Sequence, residues 1–473
     1  MIVKNNKYIF NNEIIREYDI RGEYGKNLNE KDAYFLGCSL GTYLKNSNIE
    51  GKICIGYDGR KSSPQLKKSL ISGFLDTGFD ILELGLIPTP ILYYACQTIT
   101  SVCGGVMITA SHNPKEDNGF KIVVQKKPFF GDALKKLCNI PKNEKIHFSK
   151  LSGTVQILNI DKEYTEKITN PKIYLSKTRY KNLKIVWDAS NGATGNVLKK
   201  IVNKLPGKHI MINEEIDGNF PAHPPDPTKE ENLQQIKEVI LKEECDFGIA
   251  FDGDGDRLVL INKDLRVFYG DELLAFFAND LLTRYPHAKI ITDIKTSTIP
   301  LNEIKRLGGC LIIWKTGHSN IKNKMLKEGA MLAGEVSGHL FFKENYYGYD
   351  DALFAASKLV FLLSEQQNAN YLANLPTGFV SPEIRLPCKE EQKTMIISKI
   401  KSILNSLHVK YIELDGIRVK NEKGWWLIRA SNTEQSLVIR WEGYSQCDFD
   451  FILQHLSNIL QKVGIRKLPI NLK

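Results

Sequence analysis

Apolar residues recur along the chain in short runs, several of which end on an aspartate. Lys52–Asp58, Leu183–Asp188 and Ala288–Asp293 share this form and recur at similar intervals. Each is followed by small or polar residues: Gly59 and Arg60, Ala189–Gly195, and Ile294–Thr296. Runs of this length, rich in isoleucine and valine, predict buried strands. Between them the apolar period changes. Phe35, Leu36, Leu40 and Leu44 recur at helical spacing and predict a helix over Asp32–Lys45. Strands alternating with helices, repeated three times, predict three related α/β domains with mixed, mostly parallel sheets.

The connecting stretches fit that reading. Lys142–Lys150 is polar and lysine-rich, and Asp217–Pro227 is too dense in proline for either regular element. After about Thr377 the pattern changes. Strands are expected at Glu383–Leu386, Lys410–Leu414, Trp425–Arg429 and Leu437–Trp441, with helices over Lys389–Ser406 and Phe449–Val463. This predicts a smaller C-terminal α+β domain. The expected domains are residues 1–160, 161–266, 267–378 and 379–473.

Composition narrows the class. The 473 residues are 42% hydrophobic and 25% charged, ordinary for a globular protein. Apolar runs such as Ile91–Cys96 fall far short of the roughly 20 residues that span a bilayer. Met1–Phe10 lacks the apolar stretch of a signal peptide. Nine scattered cysteines with no CxxC pair point to reduced thiols and a cytoplasmic protein. The net charge of +10 could serve nucleic acid or a small anion. The lysines are spread over amphipathic segments rather than clustered, so a nucleic-acid partner is not expected, nor a membrane one.

Several loops carry candidate chemistry. Val106–Ile108 reads as a buried strand that opens into Thr109–Pro114, presenting Ser111 beside His112 at a strand's C-terminal end. Taken alone, the pair suggests either a plain turn or a hydrolase nucleophile. Phe251–Arg257 follows the apolar run Phe247–Ala250 and alternates Asp252, Asp254 and Asp256 with glycines. In extended backbone such side chains share one side. Three carboxylates so placed call for a hard cation, Mg²⁺ or Ca²⁺. An EF-hand is excluded, because Arg257 and Lys263 stand where its glycine and glutamate belong. Arg257 suggests an anion beside the metal.

Gly334–His339 brings Glu335, Ser337 and His339 between glycines, and Trp314–Asn320 is a second polar loop of the same type. Arg429, Ser431, Asn432 and Thr433 follow the strand Trp425–Ile428 and form a candidate anion nest. Glu17–Gly22 places an arginine, Arg21, where it could meet an anionic ligand. Neither a Walker A motif nor GxGxxG is present.

Together, the loops around Ser111, Asp252, Glu335 and Arg429 resemble the α-D-phosphohexomutase superfamily in order and spacing, over essentially the whole chain. Gly334–His339 with Lys315–Ser319 is most similar to its bacterial phosphomannomutase/phosphoglucomutase branch. The resemblance implies four domains around a central cleft. It implies a phosphoserine at Ser111, and one Mg²⁺ on Asp252, Asp254 and Asp256 completed by an oxygen of that phosphoserine. Glu335 and Ser337 would bind sugar hydroxyls, and Arg429, Ser431, Asn432 and Thr433 the phosphate that is not reacting. Tyr18, Arg21, His112, Lys121, Arg257, Lys295, His318 and His339 match active-site positions, with Lys121, His339 and Arg21 as candidate bases. Gln435 departs from the proline the family often has after that last loop.

The implied reaction moves a phosphoryl group between C1 and C6 of a phosphosugar through a hexose 1,6-bisphosphate, which is also the activator. Mannose and glucose phosphates are the expected substrates, and glucosamine phosphates an alternative. A metal-dependent phosphatase and a non-catalytic phosphosugar binder are the rival readings. A monomer or weak dimer is expected.

Overall fold

The computed structural model describes residues 7–173, 182–431, 435–465 and 468. Asn432 and Thr433 of the candidate phosphate loop lie outside the described residues, as do the first six residues of the N-terminal segment. The chain divides into two compact units. One comprises Met1–Gly270 with Ser337–Ala373, the other Asp271–Val336 with Asn374–Lys473.

The first unit contains two sheets. In the first, the strand order is Ile20–Glu23, Asp117–Val124, Val102–Ile108, Lys52–Tyr57, Ile81–Leu86 and Val155–Ile157. The last four run parallel, and the first two join antiparallel. The expected helix extends over Glu30–Asn46, starting earlier because Asn29 and Asp32 form a capping box at its N-terminus. Its Leu36, Leu40 and Leu44 are fully buried. Burial of this kind contributes about 1.5–3 kcal/mol per side chain. The lysine-rich stretch from Lys142 is connector only after Asn143, since the helix Asp132–Asn143 takes its first two residues.

The second sheet has the order Val267–Phe268, Leu258–Asn262, Phe247–Phe251, Lys184–Asp188 and Lys208–Ile212. Its last three strands are parallel. Phe247–Phe251 and Leu258–Asn262 are antiparallel, with Phe251 opposite Leu258. The acidic loop is therefore the reversal between a central strand and its neighbour. Asp217–Pro227 holds no helix or strand, as its prolines require.

Within this unit a buried carboxyl, Asp351, caps the helix Ala352–Leu363 through the N–H of Phe354 at 2.8 Å. It also accepts the hydroxyls of Tyr164 at 2.9 Å and Tyr346 at 2.6 Å. Burial raises its pKa from 3.8 to about 7, more than these hydrogen bonds lower it. A carboxyl whose folded pKa is raised favours folding while protonated, so its contribution falls as pH rises from about 4 to about 7. Asp351→Asn, which cannot ionise, should therefore gain stability relative to the parent by up to about 4 kcal/mol across that window. Urea denaturation of both proteins at pH 4.5 and 8 measures it. An equal difference at both pH values would refute the coupling.

The second unit carries a parallel group, Cys310–Trp314, Lys289–Asp293 and Leu332–Gly334 in that order. Its other sheet is antiparallel. Phe379–Val380, Ser436–Gly443, Gly424–Ala430, Ile417–Asn421 and Tyr411–Ile412 follow one another, and Ile384–Pro387 also pairs with Ser436–Gly443. Helices Glu390–Ser406 and Gln446–Lys462 bury Ile400, Leu404, Ile452 and Leu456 against Trp426, Ile428, Ile439 and Trp441. The strand Ile417–Asn421 was not expected from the apolar pattern, whose alternation of isoleucine and valine with arginine and lysine is short. Arg418 stacks 3.8 Å from the ring of Trp425 and donates to the Ile294 carbonyl. Arg440 donates to the Lys295 carbonyl at 2.7 Å. Among the described residues, no helix is long and apolar enough to cross a membrane.

Candidate functional site

The serine loop begins where Val102–Ile108 ends. Ser111 has φ 53°, the left-handed region, which costs a residue with a Cβ on the order of 1–3 kcal/mol unless its surroundings impose it. Its N–H donates to Thr109 Oγ1 at 2.8 Å. Ser111 Oγ donates to Asp252 Oδ2 at 2.7 Å and lies 3.2 Å from His112 Nδ1. The serine thus faces the acidic loop.

That loop is not extended, contrary to the period-two expectation. It folds back over Asp252, whose Oδ1 accepts the N–H groups of Gly255, Asp256 and Arg257 at 3.0, 3.1 and 3.2 Å. Gly255 has φ 75°, which allows the reversal. A Cβ on Gly253 would sit 2.6 Å from the Ser111 carbonyl, so the two loops can approach only with glycine there. The reversal, not strand alternation, brings Asp252, Asp254 and Asp256 together. One ligand atom from each lies within 4.8 Å of the others, and all three residues are buried.

Lys121 reaches into this cluster, with Nζ 2.6 Å from both Asp254 Oδ2 and Asp256 Oδ2. Burial alone would lower the lysine pKa, but Asp254, Asp256 and Asp252 together raise it above its ordinary value. The Asp252 carboxyl is pushed up by burial and by the Asp256 and Asp254 charges. Asp256 goes down despite its burial, held ionised by Lys121, His339 and Arg257. The donor set fits a hard divalent cation. Oxygen atoms dominate it, the negative charge exceeds that of the one lysine, and Asp254 Oδ1 is buried without a hydrogen-bond donor.

Around the cluster, Arg257 Nε stands 3.9 Å from both Asp252 Oδ2 and Asp256 Oδ1 and donates to His339 Nε2 at 3.2 Å. His339 lies 3.3 Å from Asp256, and its Nδ1 is 3.2 Å from Ser337 Oγ. A backbone bridge between Arg257 and His339 fixes the two loops side by side. Arg21 is buried, pairs with Asp19 at 2.5 Å and donates to Asn113 Oδ1 at 2.7 Å. Tyr18 is buried nearby in sequence and packs against the Phe130 ring.

The second unit gathers its own candidates. Glu335 Oε1 accepts the Gly317 N–H at 2.6 Å, joining the loops of Glu335 and His318. His318 Nδ1 is 3.2 Å from Lys322 Nζ. Asp415 accepts both the Thr316 N–H at 3.1 Å and Arg429 Nε at 3.0 Å, so the Arg429 loop meets the His318 loop. Lys295 pairs with Glu383 at 2.5 Å and lies 3.6 Å from Asp293. Ser431 is held by backbone, its N–H on the Ser436 carbonyl and its own carbonyl on Lys393.

Four family models match the chain in order. They are the α/β/α domains I, II and III of phosphoglucomutase/phosphomannomutase at residues 12–146, 162–265 and 269–378, and its C-terminal domain at 383–451. The chain belongs to the phosphoglucomutase/phosphomannomutase family. A phosphomannomutase/phosphoglucomutase of Pseudomonas putida is 38% identical over 458 residues, covering 96% of each chain. A phosphoglucomutase of Neisseria gonorrhoeae is 37% identical over 95% of this chain and 97% of its own. A crystal structure of a family protein from Burkholderia thailandensis matches with TM-score 0.88 and 32% identity, over 98% of this chain and 100% of that one. The family architecture is thus three α/β domains with mixed sheets and a C-terminal domain, as expected from the sequence.

Some residues of these loops carry little sequence signal. Thr89 donates its hydroxyl to Asp254 Oδ2 at 2.5 Å and its N–H to the Asp254 carbonyl at 2.9 Å. Its place before Pro90, at a helix start, is the available clue. Asp415, one residue before Gly416 in a turn, gave none.

Proposed function

We propose that this chain moves a phosphoryl group reversibly between O1 and O6 of a hexose phosphate, with Ser111 as the carrier. The observation that carries the reading is Ser111 Oγ 2.7 Å from Asp252, a member of a buried three-carboxylate cluster. A hydrolase-type serine would instead give its hydroxyl proton to a histidine oriented by a carboxylate. Here the Ser111 hydroxyl donates to Asp252 of the acidic cluster at 2.7 Å, and His112 Nδ1 lies farther off at 3.2 Å.

In the proposed cycle, the bond between phosphorus and Ser111 Oγ breaks as one forms to the sugar 6-hydroxyl. The hydroxyl proton passes to a base, and a hexose 1,6-bisphosphate results. After the sugar turns over, O1 gives its phosphoryl group back to Ser111. Arg21 is too basic to take the proton, which leaves His339, or Lys121 once it has left the Asp254 and Asp256 carboxylates that hold its proton. Arg257 faces the phosphoryl group and offsets charge that develops there. One Mg²⁺ would be held by Asp252, Asp254, Asp256 and a phosphoserine oxygen, and supplies charge neutralisation when bound. We assign Tyr18 to substrate binding and His112 to the catalytic set beside Ser111. We assign sugar hydroxyls to Glu335 and Ser337, and the distal phosphate to Lys295, His318, Arg429, Ser431, Asn432 and Thr433. We further propose that each of the four domains contributes one of these loops.

Mannose and glucose phosphates are the substrates we assign. The relatives carry both names, and the two sugars differ at one hydroxyl. A side-by-side assay on mannose 1-phosphate, glucose 1-phosphate and glucosamine 1-phosphate, with a hexose 1,6-bisphosphate as activator, tests this. The first two should turn over well and the third poorly. Preferred turnover of glucosamine 1-phosphate would overturn the assignment, and stoichiometric release of inorganic phosphate would make the protein a phosphatase.

A further inference from the structure

We infer that Arg60 is a positioning residue that sets Ser111 in its carrier conformation. Arg60 follows the strand Lys52–Tyr57 and is fully buried, with 1% of its surface exposed. Its guanidinium spends every donor on oxygen. Nε donates to Asp58 Oδ2 at 3.1 Å. Nη1 donates to the carbonyls of Pro114 at 2.5 Å and Asp117 at 3.0 Å. Nη2 donates to the carbonyls of Ser111 and Asn113, both at 2.8 Å. Four of the five acceptors are backbone oxygens within Ser111–Asp117, three of them in the serine loop and one at the start of the strand that follows.

Asp58 completes the bracket from the other side. Besides Arg60 it accepts the Thr109 hydroxyl at 2.7 Å and the Ser63 hydroxyl at 2.8 Å. Thr109 Oγ1 in turn accepts the Ser111 N–H. The N–H and the carbonyl of Ser111 are therefore both tied, through Thr109 and directly, to one buried Asp58–Arg60 pair. This is the surrounding that holds Ser111 at φ 53°. The loop also gains a lid from the proline-rich segment, because Phe220 lies over the Arg60 guanidinium at 5.2 Å. Gly218 and Gly59 make that approach possible: a Cβ on Gly218 would fall 2.5 Å from the Gly59 carbonyl, and one on Gly59 2.4 Å from Ile216.

A plain core arginine would satisfy a charge. This one spans four carbonyls over seven residues with a planar fork that lysine cannot reproduce. The five hydrogen bonds of the Arg60 guanidinium go to neither the sugar-binding candidates nor the carboxylates of the acidic loop. Its loss should therefore act on the placement of Ser111 Oγ, not on substrate affinity.

The inference rests on Ser111 being the phosphoryl carrier, so the experiment measures both. Arg60→Lys and the parent are charged with hexose 1,6-bisphosphate, and Ser111 phosphorylation is followed by intact mass beside steady-state kinetics. The lysine variant should lose kcat by about 100-fold, the cost of a misplacement near 1 Å, with KM within about threefold. Its phosphorylation by the bisphosphate should slow in parallel. A folded Arg60→Lys protein with parental kcat, or one whose defect lies wholly in KM, overturns the inference. A parent that takes up no phosphoryl group at Ser111 overturns the carrier reading and the inference with it. Should the lysine variant not fold, Thr109→Val decides. It removes the hydroxyl that links Ser111 to Asp58 and should lower kcat about tenfold or more at unchanged KM, since a shift of the carrier oxygen by a fraction of an ångström suffices. Parental kcat in folded Thr109→Val overturns the inference.

Discussion

Ser111→Ala should abolish mutase turnover, lowering kcat by at least about 10⁴-fold, while phosphosugar affinity stays within about tenfold. The reasoning starts from the atom removed. Ser111 Oγ faces Asp252 and His112 beside the acidic cluster, and in the proposed cycle it is the group on which the phosphoryl rests between the two half-reactions. Alanine keeps the loop, because the contacts that hold residue 111 in the left-handed region are made by its backbone: N–H to Thr109, carbonyl to Arg60. Binding should survive for the same reason, as the sugar and distal-phosphate candidates Glu335 and Arg429 lie on other loops. Coupled kinetics read kcat, calorimetry reads affinity, and intact mass after charging with bisphosphate reads the covalent phosphoryl. Near-parental turnover in the variant would remove Ser111 from the mechanism.

The strands Lys52–Tyr57, Lys184–Asp188 and Lys289–Asp293 were legible because buried parallel strands need continuous apolar runs, and such runs are visible without a fold. The acidic cluster was legible for a related reason. Three aspartates alternating with glycines behind a buried strand have few stable arrangements without a cation. The geometry that joins them was not legible. Asp252 turns its Oδ1 onto three N–H groups of its own loop, a closure that depends on φ at Gly255 and on no residue pattern. Arg60 was visible as a residue after a strand, but its acceptors lie more than fifty positions away and are backbone oxygens, which every residue type offers. Thr89 and Asp415 escaped because their partners too are distant in sequence, 165 positions away for Asp254 and 99 for Thr316. In the C-terminal sheet, Trp425–Arg429 and Leu437–Trp441 fell within the observed strands, whereas the strand of Lys410–Leu414 shrank to Tyr411–Ile412. Lys410 and Glu413 flank that pair with charge at a sheet edge, where pairing ends easily.

Asp254→Asn should weaken Mg²⁺ binding by at least about tenfold and lower kcat even at saturating metal by about 100-fold. The substitution preserves shape and removes one charge from the set of three. Asp254 Oδ2 now accepts the Thr89 hydroxyl and Lys121 Nζ, and its Oδ1 is buried with no donor, so the carboxylate has one oxygen committed to protein and one not. An asparagine there must place an NH₂ either against the Lys121 cation or toward the position of the metal. Both are repulsive, and the second subtracts a ligand outright. The metal-free protein should not suffer in proportion. Lys121 keeps Asp256 at 2.6 Å, and two mutually repelling carboxylates, Asp252 and Asp256, replace three in a buried space. The parent should therefore gain thermal stability on Mg²⁺ addition, by the mass-action effect of a ligand that binds the folded state, and the variant should gain little at the same concentration. Calorimetric Mg²⁺ titration and melting curves with and without the ion separate this from a general loss of folding. An Asp254→Asn protein that binds Mg²⁺ as the parent does, and melts with the same metal-dependent shift, would place the ion elsewhere than on this loop.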